Sequence, residues 1–384
     1  MRFEFATAER IIFGPGTLRE VAPLAAEMGH KVLVVTGSSP GRASSLVDAL
    51  VAHGIKTEGF IVAYEPTTET VREGTDLARR TGCDLVIAYG GGSVIDAGKA
   101  IAALLTNGGV PLDYLEVIGR GQPLTEPPAP MIAIPTTAGT GAEVTRNAVL
   151  ASPEHRVKVS LRSPLMLPTL AVVDPVLTHS VPPEVTASTG LDAFTQVLEP
   201  YISHQANPLT DGFCREGLAR ASTALRQAYR QGKDAEAREE MALVSLLGGL
   251  ALANAKLGAV HGFAGVLGGM YDAPHGVICG RLLPYVMAAN VRALREREPD
   301  SPALERYEEI AIILTGDFDA GVRKGVAWVE ALCEDLKVPG LASYGVERTH
   351  FPEIIEKARN SSSMKGNPIR LTDTELRRIL EQAL

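Results

Sequence analysis

Cysteine is scarce and scattered: four residues in 384, at positions 83, 214, 279 and 333, with no C-x-x-C pair. That spacing leaves no disulfide framework and reads as reduced thiols of a cytoplasmic protein. Long apolar runs are missing too. None approaches the about 20 residues that cross a bilayer, so no membrane partner is expected. Basic residues are in deficit, 37 Lys and Arg against 45 Asp and Glu, for a net charge of −8 and a pI near 5.6. No basic face is expected to dominate, which argues against a nucleic-acid partner. The N-terminus, MRFEFATAERIIFG, lacks the basic-then-apolar order of a signal peptide. It reads instead as a strand pair turning at Gly14-Pro15-Gly16. Without a secretory signal, the glycosylation-type triplet Asn360-Ser361-Ser362 is expected to be silent.

What remains is ordinary globular material, 45% hydrophobic and 21% charged, in a chain long enough for two domains. The two halves differ in grammar. In the first, apolar strands alternate with amphipathic helices. KVLVVTG (31–37), KTEGFIVAYE, DLVIAYG (84–90) and MIAIPTT (131–137) read as strands. Between the first two, GRASSLVDALVAHG (41–54) reads as a helix with Leu46, Leu50 and Val51 on one face. TTETVREGTDLARRTG and SVIDAGKAIAALLTNG read as the next two helices. Helices of that length between strands imply parallel crossovers and an open α/β sheet. RVKVSLRS and LAVVD look like additional strands. After Asp174-Pro175 strand signals nearly vanish and long helical patterns take over, which puts a boundary near 176–181. The charge-rich stretch 295–310 reads as a solvated helix face.

Two loops in the first half carry chemistry. Gly90-Gly91-Gly92-Ser93 joins a strand to a helix. Glycines at the carboxyl end of a parallel strand let backbone N–H groups approach a phosphate, and the helix N-terminus favours its charge. A tight turn is the alternative, but it needs one glycine rather than three. The loop is not a P-loop, since Ala100 follows Gly98-Lys99, and G-x-G-x-x-G is absent because Gly139-Thr140-Gly141 fails at Val144. The segment from Pro135 to Thr145, PTTAGTGAEVT, also follows a strand and brings four threonine hydroxyls and two glycines to a diphosphate or nicotinamide. A plain polar loop is the other reading.

In the second half, AVHGFAGVLGGMYDAPHG (259–276) puts His261 and His275 among small and apolar residues. A hydrogen-bonded core histidine is the common reading of such a residue. Neutral imidazole is also the commonest metal ligand, and two in one short stretch invite a search for partners.

Together, GGGSVIDAGKA, PTTAGTGAEVT, GLDAFTQVLEPYIS with ANPLTD, and HGFAGVLGGMYDAPHG resemble the iron-containing, or group III, alcohol dehydrogenase family, with some likeness to maleylacetate reductases. The resemblance covers nearly the whole chain. It implies an α/β dinucleotide-binding domain with an open parallel sheet over residues 1–178. An all-α metal- and substrate-binding domain over 179–384 follows, in a dehydroquinate synthase-like architecture.

It also implies a ligand set of one aspartate, a histidine four residues later, and two further histidines. Asp192 matches the aspartate, and His261 and His275 match the later pair. The position four after Asp192 holds Gln196. It shares a helix face with Asp192, but its carbonyl oxygen is a weaker ligand than imidazole for Fe or Zn. Gly265 replaces a histidine to which the fuller family pattern gives substrate-binding or proton-relay roles. For the cofactor, Gly91, Gly92 and Ser93 match the diphosphate loop. Thr136, Thr137 and Thr145 match the threonine-rich cradle, to which Thr140 also belongs. Lys158 matches a lysine near the cofactor, and Asp96 and Lys99 fit the pattern GGGS-x-x-D-x-x-K, where Asp96 serves either ligand or helix.

At Gly37, Ser38 and Ser39 the aspartate frequent in NAD-preferring relatives is missing, and Arg42 follows, so NADP is accepted at least as well as NAD. Alternatively, one of the serines merely caps the next helix. The expectation is a homodimeric NAD(P)-dependent oxidoreductase that interconverts small alcohols and aldehydes or ketones by metal-assisted hydride transfer. The alternatives are a maleylacetate reductase-like enzyme on an acidic keto substrate, a dehydroquinate synthase-like lyase, and a degenerate member that binds nucleotide without catalysis.

Overall fold

The structure, a computed structural model, describes residues 2–155 and 157–384. It forms two compact units. One comprises Ala6–Thr137 with Gly141–Thr178; the other comprises His179–Leu384, Ala138–Thr140 and the residues before Ala6.

The first unit alternates strand and helix. Its elements run β1 (Arg10–Phe13), α1 (Val21–Met28), β2 (Lys31–Thr36), α2 (Ser44–Ala52), β3 (Lys56–Ile61), α3 (Thr68–Thr81) and β4 (Leu85–Gly90). Then come α4 (Gly92–Asn107), α5 (Pro111–Tyr114), β5 (Met131–Pro135), β6 (Asn147–Ser152), β7 (Val157–Arg162) and β8 (Leu170–Val173). Six strands make one parallel sheet in the order β1-β8-β5-β4-β2-β3. The central strands are continuous apolar runs because helices cover both faces, and every residue of β4 and β5 is buried. Edge strand β3 is half open, polar at its start and apolar only at Phe60 and Ile61, with no residue fully buried. The register pairs Thr36 with Tyr89 and Gly90 with Pro135, so the loops after β2, β4 and β5 leave the sheet side by side. The chain runs from β2 outward to β3, and from β4 the other way to β5. This makes the gap between β2 and β4 a switch point, where open sheets take ligands.

Three readings of the sequence need correcting. The N-terminal strand pair does not form. β1 pairs in parallel with β8, and Gly16 (φ 76°) leads into a 3₁₀ turn, Thr17–Glu20. The long-range partner wins because Asp174, just past β8, accepts from the N–H groups of Gly16 and Leu18 at 3.0 and 3.1 Å and pins the turn. On α2, Leu46 and Leu50 are buried, but Val51 is 58% exposed, since five residues on a helix turn it away from the shared face. The two additional strands expected do form: LAVVD supplies β8 of the main sheet, and VKVSLR forms β7, which pairs antiparallel with β6 in a separate hairpin. Arg156, at the start of that expected strand, lies outside the described residues. Lastly, the stretch 295–310 is not simply a solvated face: Arg306 pairs with both oxygens of Asp211 at 2.6 and 2.7 Å, and Tyr307 is fully buried.

The second unit is helical: α6 (Pro183–Ile202), α7 (Pro208–Arg230), α8 (Ala235–Ala255), α9 (Ala259–Met270), α10 (His275–Arg297), α11 (Pro302–Thr315), α12 (Val322–Asp335), α13 (Phe351–Asn360) and α14 (Asp373–Ala383). Asn207 and Asp234 cap α7 and α8 with side-chain oxygens, as their helix starts require. Helix α6 is the hub. It is buried on nearly all sides by α7, α8 and α10, so its polar residues Asp192, Gln196 and Glu199 are enclosed with it. Helix α10 has the length and apolarity of a membrane span, but 72% of its most apolar window is buried inside the protein, as befits a core helix.

Candidate metal centre and nucleotide loops

Asp192, Gln196 and Glu199 lie at i, i+4 and i+7 of α6 and so share one face. Facing them are His261, in the first turn of α9, and His275, the first residue of α10. The approach of α10 is extreme: a Cβ on Gly276 would lie 1.8 Å from the Ser188 carbonyl oxygen, and one on Gly280 would lie 2.6 Å from Leu191. Only glycine permits this contact, which sets the face carrying His275 and Cys279 against Asp192.

One donor atom from each of Asp192, His261, His275 and Cys279 lies within 4.8 Å of all the others. Asp192 Oδ1 is 3.2 Å from His261 Nε2 and 3.8 Å from His275 Nε2, and Cys279 Sγ is 3.9 Å from His261 Nε2. Asp192 and His261 are buried, while the His275 side chain is 42% exposed and leaves the cluster open on one side. Burial penalises every charged form here, yet mutual pairing outweighs it. The Asp192 carboxyl, beside His261 and His275, and the Cys279 thiol, beside the same imidazoles, are held below their ordinary ranges. Both imidazoles are held above theirs by Cys279 and Asp192. No lysine or arginine pairs with Asp192 among the described residues. A buried carboxylate surrounded by N and S donors is chemistry that suits a divalent cation.

The sequence reading missed two members of this site. Glu199 accepts from the Val260 N–H at 2.7 Å and from His261 Nδ1–H at 2.6 Å. That second bond holds the ring so that Nε2 faces Asp192 and is the nitrogen left to bind a metal, the usual outer support of a ligating histidine. Its spacing from Asp192 on one helix face was the available signal. Cys279 stands one turn beyond His275, but a cysteine read as a scattered thiol gave no reason to look. Gln196, buried on the same face as expected, donates its amide to Asp192, and its Oε1 has no hydrogen-bond partner.

At the nucleotide loops, Gly91 is the N-cap of α4, with no capping side chain and no acid in the first turn, so the N–H groups of Gly92 and Ser93 are free of side-chain capping. A Cβ on Gly91 would crowd Thr137 Oγ1 at 3.3 Å, which brings the diphosphate loop and the threonine loop together. The Thr136 N–H donates to the Gly90 carbonyl at 3.0 Å. Other expected cofactor residues are engaged within the fold. Asp96 takes the Val149 N–H at 3.0 Å and pairs with buried Lys99 at 2.9 Å, while Lys99 also donates to Thr145 Oγ1 at 3.0 Å. Lys158 pairs with Glu65 at 3.4 Å on the hairpin, and Thr140 falls in the helical unit. After β2, Gly37 is half-buried and Ser38 and Ser39 are exposed. Ser39 precedes a 3₁₀ turn, Pro40–Ala43, without capping it, and Arg42 donates to the Leu177 carbonyl at 2.9 Å.

A parallel α/β unit with glycine and threonine loops and a helical unit with an Asp-His-His-Cys cluster are the makings of an enzyme that uses a nucleotide and a divalent metal. The comparisons make that specific. The model of the iron-containing alcohol dehydrogenase family matches residues 8–175, and that of the family's C-terminal part matches 186–384. A 1,3-propanediol dehydrogenase of Klebsiella pneumoniae is 35% identical over 99% of this chain and 98% of its own. Alcohol dehydrogenase 4 of Schizosaccharomyces pombe is 35% identical over 97% of this chain and 87% of its own. A crystal structure of a 1,3-propanediol oxidoreductase superposes with a TM-score of 0.93 at 34% identity, covering all of both chains. The chain belongs to the iron-containing alcohol dehydrogenase family and is an oxidoreductase of the alcohol dehydrogenase type.

Two outcomes are expected. Glu199→Gln removes the charged acceptor from His261 and should weaken metal retention about 10- to 100-fold, read by competition with a chelator. Glu143, in the threonine loop, is buried with Oε2 unpaired, and burial raises its carboxyl from 4.5 to about 7. A raised carboxyl pKa favours folding below the unfolded value and forfeits that contribution as pH climbs through 7. Glu143→Gln should therefore stabilise the fold at pH 8, by at most about 3 kcal/mol, with the gain vanishing below about pH 4.5 in urea titrations.

Proposed function

We propose that this enzyme interconverts small alcohols and their aldehydes or ketones with NAD(P) and a divalent metal, iron or zinc, held through Asp192, His261 and His275. The observation that carries this reading is the convergence of those donors on one point, with Glu199 holding His261 in the ligating tautomer. The unpaired Oε1 of Gln196 beside them also marks a place where a polar group is wanted. When bound, the metal supplies a Lewis acid for the substrate oxygen and the nicotinamide supplies or accepts the hydride.

The chain's own part is positioning. Residues 1–178 serve the nucleotide, with Gly91, Gly92, Ser93, Thr136 and Thr137 around the diphosphate. Residues 179–384 serve metal and substrate. The exposed side of His275 is the side from which substrate enters. Gly265 has open space beyond its Cα, so no imidazole relays protons there and the substrate side is roomier. Relatives named for propanediol and for simple alcohols support a short alcohol as substrate. Four unpaired thiols accord with a cytoplasmic enzyme.

Elemental analysis should find one divalent ion per chain, and His261→Ala should lose both ion and turnover against an aldehyde panel. Full turnover by a metal-free preparation would falsify the metal role. For the nucleotide, we expect NADPH to serve at least as well as NADH. A side chain at Gly37 would meet only Val94, at 3.8 Å, so Gly37→Asp fits without strain. It should cut kcat/KM for NADPH by about 10- to 100-fold and spare NADH, because the carboxylate repels a 2′-phosphate. A strong NADH preference in the wild type, or equal loss with both cofactors, counts against this turn as the reader of the 2′-position.

A further inference from the structure

Cys279 has no part in the ligand set just described, yet it sits inside it. We propose that the Cys279 thiolate is the fourth protein ligand of the metal, in the role that Gln196 leaves open, and that it turns the site toward zinc. The proposal rests on the metal reading above and specifies the coordination within it.

Geometry supports it first. A tetrahedral zinc site, with bonds of about 2.0–2.1 Å to N and O and about 2.3 Å to S, separates its donors by about 3.3–3.7 Å. Three of the six donor pairs here stand at 3.2, 3.8 and 3.9 Å, Cys279 included, and all six lie within 4.8 Å, so contraction by about an ångström or less closes the set around one ion. Backbone placement supports it next. His275 and Cys279 are one turn apart on α10 and share a face. The glycines that follow each of them, Gly276 and Gly280, let that face press onto α6 beside Asp192.

Gln196 is occupied differently. A carboxylate only accepts, so the amide group turned to Asp192 is the NH₂ donor and not the carbonyl oxygen. Gln196 therefore steadies Asp192, as Glu199 steadies His261. Charge completes the case. Asp192 and a Cys279 thiolate together carry two negative charges, which offset a divalent cation in a largely buried site. Asp192 with an amide and two imidazoles would bring one negative charge into contact with the ion, the second reaching it only from Glu199 through His261. Thiolate is the soft donor that favours zinc over iron(II) at otherwise similar N and O ligands.

Cobalt(II) reports the thiolate directly. Metal-stripped protein loaded with one equivalent of Co(II) should show an intense near-ultraviolet sulfur-to-cobalt charge-transfer band. Cys279→Ser should lose that band while keeping visible d–d absorption, and Gln196→Ala should keep it, since Cys83, Cys214 and Cys333 lie outside the cluster. Zinc affinity of Cys279→Ser should fall by more than the about 10- to 100-fold typical of losing an outer hydrogen-bond partner, and iron(II) affinity should fall less. Should the variant not fold, zinc X-ray absorption on the wild-type protein decides, with one sulfur at about 2.3 Å expected. Stoichiometric metal with only N and O neighbours, or a band that survives Cys279→Ser, overturns the assignment of Cys279 alone. Protein that takes up neither Co(II) nor zinc overturns the metal reading and this assignment with it.

Discussion

The contact between Gly276 and the carbonyl of Ser188 governs the helical unit. At that point α10 meets α6 with no side chain between them, and any Cβ would collide with backbone. Because the helices touch there, the residues flanking the contact are carried to fixed places. His275 and Cys279 arrive from one side and Asp192 from the other, on a helix also packed by α7 and α8, with the His275 side left open. Separating the helices by even a methyl group would draw the donors apart and leave a buried carboxylate without partners, which is among the costlier things a core can contain.

Burial and function are tied together in that arrangement. A carboxylate taken out of water must be met by donors or cations, and here it is met by two imidazoles and an amide. The same demand explains Glu199, which is buried deeper still and satisfied by two backbone N–H groups and the His261 ring. The network is therefore a stability problem and the proposed metal site at once. Each outer group that lowers the cost of burial also aims an inner donor.

The α/β unit solves a different problem by different means. The loops proposed for the nucleotide carry almost no charge; they offer N–H groups at the start of α4 and hydroxyls from the threonine loop, placed side by side by the register of β2, β4 and β5. The charged residues of the same motifs, Asp96 and Lys99, are turned inward to hold the β6–β7 hairpin against α4. A motif that looks wholly devoted to ligand thus divides its labour between binding and folding.

Much of this was legible along the chain. Hydrophobic periodicity sorted strands from helices, since a period of two and a period of 3.6 are local properties, and helical crossovers implied a parallel sheet. Gly91, Thr137, His261 and His275 stood out because glycine and threonine clusters at strand ends and histidines in apolar stretches are locally unusual, and Asp192 stood out through the family resemblance. What only the tertiary structure decided is which groups meet. β1 finds β8 across about 160 residues, β6 and β7 leave the main sheet as a hairpin, and Cys279 and Glu199 join a cluster spread over three helices. Sequence spacing orders residues on one element, but the packing of one element on another depends on close approaches such as that of Gly276, whose partner lies some 90 residues away.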